Sequence, residues 1–330
     1  MLDSSGGAAP HEQRTDRLRS WLLEESVDSG QTVSEAARSV LRHQFAVAMS
    51  KASGTRAGAD PEDLHDMRVA IRRMRSAIAM FQPHLAEPVQ QLGKPLKWLG
   101  GVLGPVRDLD VQIEQTSAWR EEVDDDDAPA IEAVERHLRH RRTLARHLML
   151  QQMGSSDYRG AVDGTIAALG DPAPEAPRIL AVAPDVIERR RGRVRKLGDE
   201  IDLASPPERY HRLRVRAKAL RYAIEFHRSL YGKRAERMIE AMKTLQDLLG
   251  DHQDADVARR HLRELREVGL PANTNFVLGI LDERYRRRAI ELRRAFPKAY
   301  ESVDGKPWRR LFERMEARRP AAAESSIDPR

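Results

Sequence analysis

The sequence predicts an all-α fold of two pseudo-symmetric helical-bundle halves that arose by internal duplication. Three observations lead there. Apolar residues recur at the helical period along the chain, as in Leu213, Leu220 and Ile224, and no segment alternates like a strand over a useful length. The composition is 33% charged, 40% hydrophobic and only 5% aromatic, which favours amphipathic helices over sandwiches or barrels. The chain also matches itself at an offset of 146 residues.

Taken in order, residues 1–30 begin small and polar and are expected to be mostly disordered, with a short helix around Leu18–Glu25. Helices are expected over 33–51, 61–82, 85–103, 106–121, 130–152 and 156–169. The proline-rich stretch DPAPEAP at 171–177 is the best linker candidate. Further helices are expected over 179–202, 207–230, 233–249, 253–267, 273–296 and 302–318. These divide into a first helical repeat at 31–172 and a second at 173–318, followed by a loose tail at 319–330.

With 57 basic and 51 acidic residues the net charge is +6, too modest to identify a partner by itself; its distribution matters more. The absence of cysteine excludes disulfides, thiol catalysis and thiolate zinc sites. No apolar signal-peptide core and no run of eighteen apolar residues is present, so a soluble cytoplasmic protein without membrane attachment is the default expectation.

The self-match is specific. His65-Asp-Met-Arg68-Val69 falls on His211-Arg-Leu-Arg214-Val215, Arg72 on Lys218, and Arg75 on Arg221. Without a gap, Lys97, Leu99, Leu103 and Gly104 then fall on Lys243, Leu245, Leu249 and Gly250, and Asp108 and Asp110 on Asp254 and Asp256. Two such runs in register across almost fifty positions indicate duplication.

Within each copy, His65, Arg68, Arg72 and Arg75, and likewise His211, Arg214, Lys218 and Arg221, fall at i, i+3, i+7 and i+10. At about 100° per residue they occupy a stripe roughly 80° wide on one side of a helix. Apolar residues (Met67, Ile71, Met74 and Ile78; Leu213, Ala217, Leu220 and Ile224) cover much of the remainder. A solvated, salt-bridged face is the ordinary reading of an Arg-rich helix. Such a face would carry Glu at i+4 from Arg, and the stripes are read as free of these partners. Like charges held together cost stability, so a bound anion explains the arrangement better. The planar arginine fork suits two phosphate oxygens at once.

Arg73, Lys97 and Arg107 surround the first stripe, and Arg212, Arg216 and Lys243 the second. The basic run from Arg189 to Lys196 reads as a solvated face, as do His137, His140 and His147. A histidine opening each stripe would be held protonated beside phosphate. Asp108, Asp110, Asp254 and Asp256, placed in the first turns of new helices, read as braces for arginine and not as metal ligands.

The segments LHDMRVAIRRMRSAIAMF (64–81), LGPVRDLDV (103–111), YHRLRVRAKALRYAIEF (210–226) and LQDLLGDHQDADVA (245–258) resemble the CHAD proteins, the conserved histidine α-helical domain family. The resemblance covers nearly all of 33–318 and implies two helical halves around a basic channel that binds inorganic polyphosphate, with placement on polyphosphate granules. Carried over by position, it implies a binding set of His65, Arg68, Arg72, Arg75, His211, Arg214, Lys218 and Arg221, with Arg73, Lys97, Arg107, Arg216, Tyr222 and Lys243 as outer members. Many relatives also carry a triphosphate-tunnel β-barrel with a Glu-x-Glu-x-Lys signature. That signature is not found here, so a stand-alone, non-catalytic module without cofactor or metal is expected.

Two other classes compete. His65-Asp66, with Asp251, His252, Asp254 and Asp256, could suggest a metal-dependent phosphohydrolase; yet the duplicate of His65-Asp66 is His211-Arg212, and arginine opposes cation binding. Nucleic-acid binding would use the same basic helices. It lacks a helix-turn-helix pattern and the aromatics that stack bases.

Overall fold

Asp60 and Pro61 show how the elements begin. The Asp60 side chain accepts a hydrogen bond from the Glu62 N–H at 2.9 Å, and Pro61 takes the first helical position, where an N–H has no partner to lose. Apolar residues at helical spacing then carry the segment on to Phe81.

The computed structural model describes residues 10–24, 27–269 and 272–320. Over the first half of that range it comprises α1 (Pro10–Leu22), α2 (Val33–Ser50), α3 (Ala52–Ala57), α4 (Pro61–Phe81), α5 (Glu87–Gln91), α6 (Gly93–Glu122), α7 (Ala128–Met153) and α8 (Ser156–Gly170). The second half comprises α9 (Ile179–Gly198), α10 (Pro207–Phe226), α11 (Arg228–Tyr231), α12 (Lys233–Leu265), α13 (Ala272–Tyr300) and α14 (Lys306–Arg318). Three 3-10 turns and one isolated antiparallel bridge, Thr32 with Arg178, complete the regular structure among the described residues. The fold is all-α.

Several expected boundaries are corrected. The N-terminal helix spans Pro10–Leu22, not Leu18–Glu25. The predicted helices at 85–103 and 106–121 become the short α5 and the 30-residue α6, which continues through Gly104 and Pro105. Proline removes one helical hydrogen bond, but Leu103, Val106 and Leu109 lie on a buried face whose burial continues across the site. Likewise 233–249 and 253–267 are one helix, the 33-residue α12, with Leu249, His252 and Ala255 buried across Gly250. Asp108 and Asp254 are therefore mid-helix residues and not first-turn caps. The expectations for residues 1–9 and 321–330 lie outside the described residues.

The chain divides into two compact units that interleave in sequence. One contains α1, Ser34–Glu114 and Leu138–Glu175; the other contains Val27–Val33, Gln115–His137 and the chain from Ala176 on. The last division between the units falls between Glu175 and Ala176.

In the first unit α4 buries Leu64, Met67, Ile71, Met74, Ile78 and Phe81, and α6 buries Leu96, Leu99, Leu103 and Val106. Each such side chain contributes about 1.5–3 kcal/mol by leaving water. This one-sided burial fixes which face of α4 remains outside the core. In the second unit α12 packs on α10, α13 and α14, and α10 on α9. There α10 buries Leu213, Ala217, Leu220 and Ile224, and Gln246 Nε2 donates to the Ala217 carbonyl at 3.0 Å to tie α12 to α10. At the distal ends of α6 and α7, Trp119 Nε1 donates to the Tyr285 hydroxyl at 2.8 Å.

Candidate anion-binding site

Burial of the apolar face of α4 turns His65, Arg68, Arg72 and Arg75 away from the core. Arg72 and Arg75 are exposed, and His65 and Arg68 half-buried. From α6, Arg107 and Asp108 join them. Arg68 Nη2 lies 3.4 Å from Asp108 Oδ1, and Arg107 Nη1 lies 3.6 Å from Glu62 Oε1. Asp108 thus braces an arginine of the stripe, the role expected of it. Burial, then the Arg107 guanidinium, lowers the His65 pKa below its ordinary value; Glu62 opposes and Arg72 adds to the shift. Burial also lowers the Arg68 pKa, with Asp108 opposing.

In the second unit α10 presents the equivalent side chains. His211 is exposed, and its Nδ1–H donates to Gln253 Oε1 at 2.6 Å, Gln253 standing where the first copy has Arg107. Arg214 and Lys218 lie close enough to Asp254 to stabilise its carboxylate, although burial leaves the Asp254 pKa raised overall. The acid-free expectation is corrected here. Arg221 Nε lies 3.3 Å from Glu225 Oε1, an i,i+4 pair on the same helix.

Two features went unassigned in the sequence. A Cβ on Gly104 would lie 3.1 Å from Arg68 Nη1, and one on Gly250 would lie 3.5 Å from Arg214 Nη2. Bare backbone therefore lies beside the same arginine in both units. The matched glycines were visible as a pair at the 146-residue offset, but their neighbours were not. In addition, Arg68 Nη1 and Arg214 Nε are buried with no hydrogen-bond partner among the described residues. An unmet buried donor costs about 1–3 kcal/mol.

The outer members of the predicted set scatter. Arg107 joins the first stripe and Arg73 is half-buried one residue along from Arg72. Arg216 is exposed, about 200° around α10 from Arg214, off the stripe. Lys97 and Lys243 are exposed on α6 and α12, and among the described residues no hydrogen bond or ion pair ties them to the stripes. Tyr222 is core: it is 3% exposed and its ring stacks on Phe226 at 6.2 Å. It underlies Arg221, whose guanidinium sits 5.8 Å from the ring centroid. The run at 189–196 is also partly structural, since Arg191 pairs with Glu188 and Asp304 and lies over Trp308 at 4.5 Å.

Residues 39–263, which contain both stripes, match the CHAD domain. The chain belongs to the CHAD family. Two uncharacterized proteins of Mycobacterium tuberculosis, MT2285 and Rv2226, are each 29% identical over 263 residues, covering 73% of this chain and 48% of theirs. This CHAD chain thus spans about half the length of the curated relatives it matches. Among solved structures, the CHAD domain from the plant Ricinus communis aligns with a TM-score of 0.70 at 24% identity, covering 85% of this chain and 94% of that one. PptA from Streptomyces chartreusis aligns with a TM-score of 0.68 at 20% identity, covering 82% and 100%. At these identities the likeness is one of fold, and it places this chain's helices in the CHAD architecture.

Proposed function

We propose that this CHAD chain binds inorganic polyphosphate, without turning it over, through the cationic stripes of α4 and α10. The observation that carries the reading is the repeated group of Arg68, Arg72 and Arg75 and its counterpart Arg214, Lys218 and Arg221, each beside a histidine, an aspartate brace and a bare glycine. Clustered cations with an unmet buried donor are destabilising when empty, and a linear polyanion offsets both costs. Internal duplication is part of the proposal. Recruitment to polyphosphate granules would follow from the binding.

The hydrolase reading is disfavoured by what the acidic and imidazole groups already do. Asp66 is held by Lys51 at 2.9 Å, and Asp251 by Arg288 at 3.1 Å. His252 is buried against Tyr210, with ring centroids 4.4 Å apart, and its Nε2 accepts from Arg293 Nε at 3.1 Å. These groups face guanidinium and ammonium partners, a poor setting for a cation. The decisive experiment is calorimetric titration with polyphosphates of graded length, run with a phosphate-release assay and with competing RNA and duplex DNA. Affinity should rise with chain length and fall linearly with salt on a log–log plot. Phosphate release, a flat salt response or stronger binding to nucleic acid would overturn the reading.

A further inference from the structure

One difference between the two stripes lies where the second one ends. Arg221 closes the second stripe and Glu225 follows it by one helical turn, at 3.3 Å, with side chains 30% and 19% exposed. At the same offset in the first unit, Arg75 is followed by Ala79; both are exposed, and Arg75 has no ion pair among the described residues. A carboxylate within contact distance of a guanidinium occupies the place that a phosphate oxygen would take. Partial burial keeps that carboxylate from being fully screened by water.

We propose that Glu225 is a specificity-determining residue: a resident anion that a ligand must displace to reach Arg221. An incoming anion must out-compete one carboxylate there and none at Arg75. Arg221 is thereby less open to weakly charged anions than to a polyanion whose many charges can displace the carboxylate. This inference rests on the polyphosphate reading and refines it.

The test uses the full-length chain and three substitutions, with polyphosphate of one defined length titrated at two salt concentrations and a thermal melt for each variant. Glu225→Gln should raise affinity roughly five-fold, the scale of one partly screened ion pair, and steepen the salt dependence as one more cation becomes available. Loss of folding cannot imitate a gain in affinity. Ala79→Glu, which builds the same pair beside Arg75, should lower affinity by a similar factor with the melt held or raised. Glu132→Gln, an exposed site on α7 with the same change in net charge, controls for overall charge and should leave affinity unchanged. If Glu225→Gln melts early, the Ala79→Glu result decides alone. Unchanged affinity in Ala79→Glu, or equal gains in Glu225→Gln and Glu132→Gln, overturns the inference while leaving polyphosphate binding in place. No binding by the unsubstituted chain overturns the functional reading, and the inference with it.

Discussion

Helices α4 and α10 carry matching cations at matching spacing, but their neighbours differ. Beside His65 stands Arg107, a cation that helps push the imidazole toward its neutral form. Beside His211 stands Gln253, whose Oε1 accepts a hydrogen bond from the Nδ1–H. Past Arg75 the helix offers Ala79; past Arg221 it offers Glu225. Arg75 thus has no ion pair among the described residues, whereas Arg221 has a carboxylate one turn away. On the proposed reading, the cations on each helix set what class of ligand is attracted. The residues one turn away, or on the neighbouring helix, set how strongly.

The largest expected effect separates the stripes outright. Replacing Arg68, Arg72 and Arg75 together by Ala should weaken polyphosphate binding at least roughly a hundred-fold, since each charge-assisted contact contributes about 1.5–3 kcal/mol and neighbours are not additive, and by more than the same change at Arg214, Lys218 and Arg221, where Glu225 already stands at Arg221. Calorimetry reads both numbers, and equal losses would break the comparison. Next, Arg68→Ala alone should cost about ten-fold in affinity while the ligand-free melt stays level or rises. The substitution relieves repulsion and removes an unmet buried donor, and it leaves Asp108 65% exposed to water. An early melt would mark Arg68 as structural.

Proton linkage sharpens the contrast at His65. Its pKa is depressed in the free protein, so its neutral form favours folding above the ordinary imidazole value of about 6.5. That contribution is lost as pH falls through the depressed value. A bound polyanion acts in the opposite direction and favours the charged ring. Affinity should therefore rise as pH falls from 7 toward 5, with proton uptake on binding, and His65→Ala should flatten that rise. If the rise is unaltered in His65→Ala, the histidine takes no part.

In the second unit His252 is pushed down to about 4, mainly by burial and then by Arg293. The neutral ring's stabilising contribution is full above about 6.5 and is lost as pH falls through about 4. Acid melts of the ligand-free chain should show this loss, and His252→Gln, whose side-chain oxygen can still accept from Arg293, should reduce its steepness. An unchanged acid profile would remove His252 from the account. The smallest effect is expected at Arg286, already paired with Glu283 at 2.6 Å on an exposed turn of α13; Arg286→Ala should leave polyphosphate affinity unchanged.

Sequence alone determined the helical class, the self-match at an offset of 146 residues and the spacing of the cations, because all three depend on relations within one helix or on identity between two segments. The phase of Arg68 against Arg72 is a matter of about 100° per residue and needs no knowledge of neighbours. The Arg221–Glu225 pair was legible by the same rule and was overlooked. Tertiary structure decided the rest. Pro105 and Gly250 read as breaks, yet burial of Leu103 and Val106, and of Leu249 and His252, carries α6 and α12 through them. That Asp108 braces Arg68, that Gln253 holds His211, and that Gly104 and Gly250 lie beside arginines depends on which helices pack together. Tyr222 and His252 read as polar candidates and proved to be core residues, because the fraction of a side chain that meets water is set by the neighbouring helix and not by its own.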